Sequence, residues 1–145
     1  MLYIIQNFNI KCIQCDIVLR QIQPYRWQVA RDIQLQINDY PLHIPTGFWT
    51  DLASVPRCLW NLIPPFGSYT LPAIVHDFCY ATQIVSRKTA DDLFYRLMIY
   101  TKTKPYKAFV MYMAVRLFGQ SAYENYNETA ALVRQKYNLK RIVEL

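Results

Sequence analysis

Two residue types that move protons stand side by side in this chain. His76 and Asp77 lie inside the apolar run "PAIVHDFCYATQ", residues 72–83. A histidine and a carboxylate buried among apolar neighbours cost free energy unless hydrogen-bonding partners meet them. In a helix, His76 and Tyr80 are four residues apart and share a face, while Asp77 is turned about a quarter-circle away. A second helical run, "SRKTADDLFYRLMIYTK", carries Asp91 and Asp92. Folded back antiparallel by a turn of a few residues, it can bring an aspartate to the imidazole, with Tyr80 donating to the same carboxylate. That arrangement answers the burial problem, since the imidazole gains a carboxylate and the carboxylate a phenol. A structural pair that merely pins two helices accounts for the same residues.

Asp77 then wants a cation. Asp51, in "PTGFWTDLASVPR", follows a Gly-containing extended piece and precedes an apparent helix start. A loop aspartate there can join Asp77 and backbone carbonyls around a hard ion. Oxygen ligands suit calcium, and so few charged ones imply a weak site with a dissociation constant of ~0.1–1 mM.

The elements that must position these groups follow from periodicity. In "YRWQVA", Tyr25, Trp27 and Val29 alternate with polar neighbours, and in "IQLQIND" Ile33, Leu35 and Ile37 do the same. That period of two predicts half-buried strands in a small antiparallel meander, with turns near Pro24 and at "NDYP" and an extended piece through Ile44. Beyond residue 50 the pattern becomes helical. "VPRCLWNLI" reads as a short helix stopped by "PPFG", and Thr70 is the expected N-cap of the His76 helix. Ser86 caps the next, which buries Leu93, Phe94, Leu97 and Met98. A third helix ends at Gly119, and "ENYNETAALVRQKYN" is a weaker last one. The expectation is one α+β domain over 1–145, strand-rich over 1–50 and helical over 51–145.

Composition sets the outer bounds. The chain has 145 residues, enough for a real core, and 53% are hydrophobic, which argues against disorder. Its formal net charge of +6 favours anionic partners, although the same excess also serves plain solubility. The basic residues are scattered, so nucleic acid is not the expected partner. The N-terminus does not read as a signal peptide, and no apolar run reaches the ~18 residues of a membrane span. Cys12 and Cys15 fall in a strand-like segment where a separation of three points side chains to opposite faces, so all four cysteines are expected to be reduced. Arg87 and Asp92 are assigned to a solvated helix face, Trp49, Trp60 and Phe66 to the core, and His43 to a loop or strand edge without a role. Two histidines cannot furnish a multi-histidine metal hydrolase, and a Cys79–His76 nucleophile is poorly disposed within one helix.

From "IPTGFWTDLASVPR" through "PPFGSYTLPAIVHDFCY" to "SRKTADDLFYRLM", with "MAVRLFG" beyond, the chain resembles the domain-of-unknown-function family 1353, frequent in bacteriophage genomes. The resemblance covers roughly the last two-thirds of the chain. More distantly, the same ordered motifs are similar to the secreted phospholipase A2 group of bacteria and fungi. That likeness implies an antiparallel helix pair in which His76 is the general base, Asp91 orients its ring and Tyr80 bonds to that aspartate. It implies that Asp77 and Asp51, with the Leu52 carbonyl, hold calcium that polarises the ester carbonyl, and that an anionic phospholipid surface is a partner. The phage association implies a virion or host-cell location. The alternative it carries is a non-enzymatic virion component or host-factor binder that keeps the helix pair as scaffold.

Overall fold

The computed structural model describes residues 4–51 and 67–145. The expected helix over "VPRCLWNLI", together with Leu52, Cys58, Trp60 and Phe66, lies outside them. The architecture is α+β, with strands first and helices after. Six strands come in order: β1 (Ile10–Gln14), β2 (Leu19–Gln23), β3 (Arg26–Val29), β4 (Ile33–Ile37), β5 (Tyr40–Ile44) and β6 (Trp49–Thr50). They form not one meander but two antiparallel three-stranded sheets, ordered β1-β4-β5 and β2-β3-β6. The two predicted hairpins are both present. The β4–β5 hairpin turns on Asn38-Asp39, with Asn38 at a positive φ of 53°, and the β2–β3 hairpin turns on Pro24-Tyr25. Periodicity finds hairpins because they are local. It does not say that β1 closes on β4 and that β6 returns to β3.

The alternation in β4 holds: Ile33, Leu35 and Ile37 are buried while Gln34 is exposed. Tyr25 departs from it, since it occupies the turn and projects into solvent. Trp49 departs too, exposed on the two-residue edge strand β6 rather than in the core. The cysteine expectation is overturned. Cys12 and Cys15 are joined as a disulfide. The alternation rule presumes an unbroken strand, but the β1–β4 register shifts between Cys12 and Gln14 and β1 ends there, so Cys15 turns back.

The helices are α1 (Thr70–Thr82), α2 (Arg87–Tyr100), α3 (Pro105–Phe118), α4 (Gln120–Glu124) and α5 (Ala130–Lys136). The weak last helix expected over 124–138 forms only as α5, and α4 is a further short helix just before it. Tyr69, not Thr70, precedes the first turn of α1, and the Thr70 hydroxyl instead accepts from the Gly67 N–H at 3.0 Å. Ser86 caps α2 as expected, accepting from the Thr89 N–H. All of α1 except Asp77 is buried, so α1 is the central rod of the domain. Only four residues separate it from α2, with Gln83 in the left-handed region at φ 48° making the reversal. His76 packs on Phe94 while Tyr80 reaches Asp91, so the two helices run antiparallel. Leu93, Phe94, Leu97 and Met98 are buried as the spacing predicts. Among the described residues, no helix is long and apolar enough to cross a membrane.

Candidate functional site

Asp91 sits at the junction of α1, α2 and α3, fully buried. Its Oδ1 accepts from Tyr80 Oη at 2.7 Å and lies 2.7 Å from His76 Nε2. Its Oδ2 accepts from Arg116 Nη1 at 2.7 Å, and Arg87 Nη1 stands 3.6 Å away. Burial alone pushes the Asp91 carboxyl up. The bonds and charge of His76, followed by the bonds from Tyr80 and Arg116, more than offset this and hold it below the usual carboxylate range. Asp91 is therefore an ionised acceptor, so Nε2 carries the hydrogen and Nδ1 is the basic nitrogen of the His76 ring. The imidazole packs against two aromatic rings, with centroids 4.1 Å from Tyr80 and 4.7 Å from Phe94. Burial beside Asp91 raises the Tyr80 phenol strongly, which keeps it a donor at neutral pH.

His76 is 2% exposed. It lines a cavity of about 170 Å³ together with Asp51, Asp77, Tyr80, Phe118 and Tyr126. Asp77, half-buried where α1 faces β6, accepts a hydrogen bond from the Thr50 hydroxyl. A second cavity, of about 270 Å³, shares Asp51, Asp77 and Tyr126 and adds Arg26 and Trp49. Burial, then the charges of Asp77 and Asp51, raise the Tyr126 phenol, so this side chain is a further neighbour of both carboxylates. Of the residues singled out in the sequence, His76, Tyr80 and Asp91 are brought into direct contact. Asp51 and Asp77 share the adjoining cavity wall, and Leu52 is outside the described residues. Among the described residues, no three His, Cys, Asp or Glu side chains gather into a metal shell.

Two assignments are corrected. Asp92 is not on a solvated face: it is 1% exposed, accepting from Tyr112 Oη at 2.9 Å, Lys88 Nζ at 2.6 Å and the Gln6 N–H at 3.1 Å. Arg87 is also largely covered, with Nη1 donating to the carbonyls of Val115 and Arg116 at the end of α3. Both errors share a cause. The sequence reading covered one face of α2, whereas α1 packs on one side and α3 with the N-terminal segment on the other. Burial lifts the Cys79 thiol to about 12, with Asp91's charge adding to it, so it is no nucleophile at neutral pH.

Arg116 and Gly119 were not recognised as parts of the site. Arg116 did carry a signal: a lone cation inside the apolar run "AFVMYMAVRLFG" needs a buried anion. Gly119 was read only as a helix end. A Cβ there would crowd the Val115 carbonyl and stand 2.8 Å from Tyr80 Oη, so the position must be glycine for α3 to come this close to the phenol.

An α+β domain with a buried His–Asp–Tyr–Arg cluster opening on a carboxylate-lined cavity is the class these features define. The chain belongs to the family described as "Protein of unknown function (DUF1353)", which matches residues 27–115. That span runs from β3 almost to the end of α3. It contains His76, Tyr80, Asp91, Asp51 and Asp77, and stops one residue short of Arg116. Over 78 residues, 52% of its length, the chain is 33% identical to the uncharacterized protein y4jT of Sinorhizobium fredii (strain NBRC 101917 / NGR234). The matched stretch covers 23% of that protein. No solved structure matches the chain.

Proposed function

We propose that the protein is a hydrolase that activates water at His76 to cleave carboxylic esters of phospholipid, with calcium held by Asp51, Asp77 and the Leu52 carbonyl. The observation that carries this reading is the 2.7 Å contact of His76 Nε2 with an ionised Asp91, on the wall of a cavity that Asp51 and Asp77 also line. Nδ1 takes a proton from water as its oxygen attacks the ester carbonyl. Asp91 stabilises the imidazolium, and Tyr80 and Arg116 keep that carboxylate in place. When the tetrahedral intermediate collapses, the ester C–O bond breaks and His76 returns the proton to the departing alkoxide. Two carboxylates on one wall are the hard oxygen donors that calcium takes. The ion, when bound, supplies Lewis-acid polarisation of the ester carbonyl.

The test is release of fatty acid from phospholipid vesicles, with calcium or with a chelator, by the wild type and His76→Ala. Loss of general-base catalysis is expected to lower the rate by roughly 10²–10⁴-fold. Release that survives both the substitution and the chelator removes the proposal. One observation favours a second reading. Both oxygens of the buried Asp91 are bonded from neighbouring helices, as a helix pin requires. On that reading the chain is a non-enzymatic phage virion component or host-factor binder, and a folded protein without activity under any condition selects it.

A further inference from the structure

Helix α3 is apolar on both of its faces. Ala108, Met111, Tyr112, Ala114 and Val115 are buried against the domain. Tyr106, Phe109, Val110 and Leu117, between 45% and 63% exposed, fall within about 100° of arc on the opposite side, with Met113 half-buried among them. A helix that is apolar all round normally has partners all round, and one face of this one is open to solvent. At 14 residues it presents a stripe about 21 Å long. Phe118, the last residue of α3 and 72% exposed, forms part of the cavity that His76 lines.

The charge beside the stripe is of one sign. Between Asp92 and Glu124 the sequence has no acidic residue, and it carries Arg96, Lys102, Lys104, Lys107 and Arg116. Arg116 is committed to Asp91, and Arg96 to the carbonyls of Ile5 and Gln6. The three lysines cluster at the N-terminal end of α3, with Lys102 and Lys104 exposed. A second copy packed in parallel register on this stripe would bring like charges together, and in either register it would offer no acidic partner from α3 to the lysines. A convex rod with aromatic and aliphatic side chains outward and lysines alongside has the chemistry of a helix lying in the plane of an anionic lipid surface.

We infer that the outer face of α3 is the surface by which the protein docks on anionic lipid bilayers, with Phe118 linking the docked face to the mouth of the His76 cavity. This rests on the hydrolase reading only for the use to which docking is put; docking itself is measured without turnover. The experiment is co-sedimentation of the intact chain with vesicles of phosphatidylcholine mixed with phosphatidylglycerol, against vesicles of phosphatidylcholine alone. The variants are Phe109→Glu with Leu117→Glu, and Lys102→Glu with Lys104→Glu, all at exposed positions that leave the core intact.

The wild type is expected to partition to the anionic vesicles at low salt and to come off as salt rises. The apolar pair should lower partitioning about tenfold or more. The lysine pair should remove the preference for the anionic lipid. Wild type that stays in the supernatant overturns the inference, as do variants that sediment like the wild type. A concentration-dependent dimer that the same substitutions dissolve, without vesicle binding, assigns the face to a second copy instead. Vesicle binding with no hydrolysis by the wild type would leave the surface standing and remove the hydrolase reading. Hydrolysis of dispersed short-chain lipid without vesicle binding would do the reverse.

Discussion

The chain has two histidines, and each meets an aspartate. His43 on β5 lies 2.9 Å from Asp32, and His76 on α1 lies 2.7 Å from Asp91, so geometry alone hardly separates them. Their surroundings do. The His43 and Asp32 side chains are 50% and 47% exposed, those of His76 and Asp91 2% and 0%. Asp32 is a turn acceptor: the Thr46 hydroxyl and N–H bond it at 2.6 and 2.7 Å, and His43 is an addition at the rim. Asp91 is bonded only by side chains, from α1 and α3, and faces a cavity through His76. A short His–Asp distance is therefore no mark of a site. Burial of the acid, packing of the ring and its place on a cavity wall are what distinguish the inner pair.

The strongest way to break that contrast is to remove each acid in turn. Asp91→Ala leaves Arg116, Tyr80 and His76 without their shared acceptor in a covered junction, and a cost of about 3–5 kcal/mol in urea unfolding is expected. Asp32→Ala, in solvent, should cost about 1 kcal/mol or less. Equal losses at the two positions would mean that burial does not separate the pairs. Gly119→Ala comes next. Its Cβ must displace Tyr80 or the end of α3, at about 1–3 kcal/mol. Under the hydrolase proposal it should also slow fatty-acid release, because Tyr80 holds Asp91. A Gly119→Ala protein with wild-type stability and rate would show that the close approach is not needed.

The scaffold around the inner pair was easier to read than the junction itself, and the outer pair was not foreseen: His43 was expected to have no role. Hairpins at Asn38 and Pro24, the Ser86 cap and the apolar face of α2 are local signals, set by neighbours within a few residues. His76, Tyr80 and an aspartate of α2 could be put together because helical spacing and a four-residue connection leave an antiparallel pair little freedom. What stayed hidden depends on contacts distant in sequence. Asp92 is covered by Tyr112 and by the backbone of Gln6, 86 residues away, and nothing near it announces either partner. The disulfide was missed because a register shift against β4 broke the alternation used to exclude it. Arg116 was visible as an anomaly, an unexplained cation in an apolar helix, but its anion lay one helix back.

Acid provides a finer comparison. Asp32 is held at about 2, chiefly by the Thr46 hydroxyl, then by the Thr46 N–H and His43, and Asp91 too is held below its ordinary value. Both are depressed carboxylates, so the stability they contribute is present above pH 4 or so, the unfolded range, and is lost as pH falls through the folded value. Between about pH 4 and 2 the unfolded chain binds more protons, and melting temperature should drop. Asp32→Asn is expected to shallow that drop only slightly, because its charge is screened by water. In the background of a folded Asp91→Asn protein the drop should be clearly shallower. Melting curves across that window decide it, and two superimposable acid limbs would contradict the assignment of Asp91 as an ionised group.

The smallest effect expected is at His43. Replacing it with glutamine removes a ring nitrogen from Asp32 but leaves both Thr46 donors in place. Solvent can satisfy whatever acceptor capacity is vacated, so stability should stay within about 0.5 kcal/mol of wild type. Vesicle hydrolysis, if His76 is its base, should be unchanged, because β5 contributes nothing to the cavity walls beside Asp91. The matched substitution His76→Gln puts an uncharged amide against the same buried acid and ends proton transfer. A His43→Gln protein that loses hydrolysis as His76→Gln does would place the chemistry at the rim of the sheet, and the inner pair would be left as the pin between two helices.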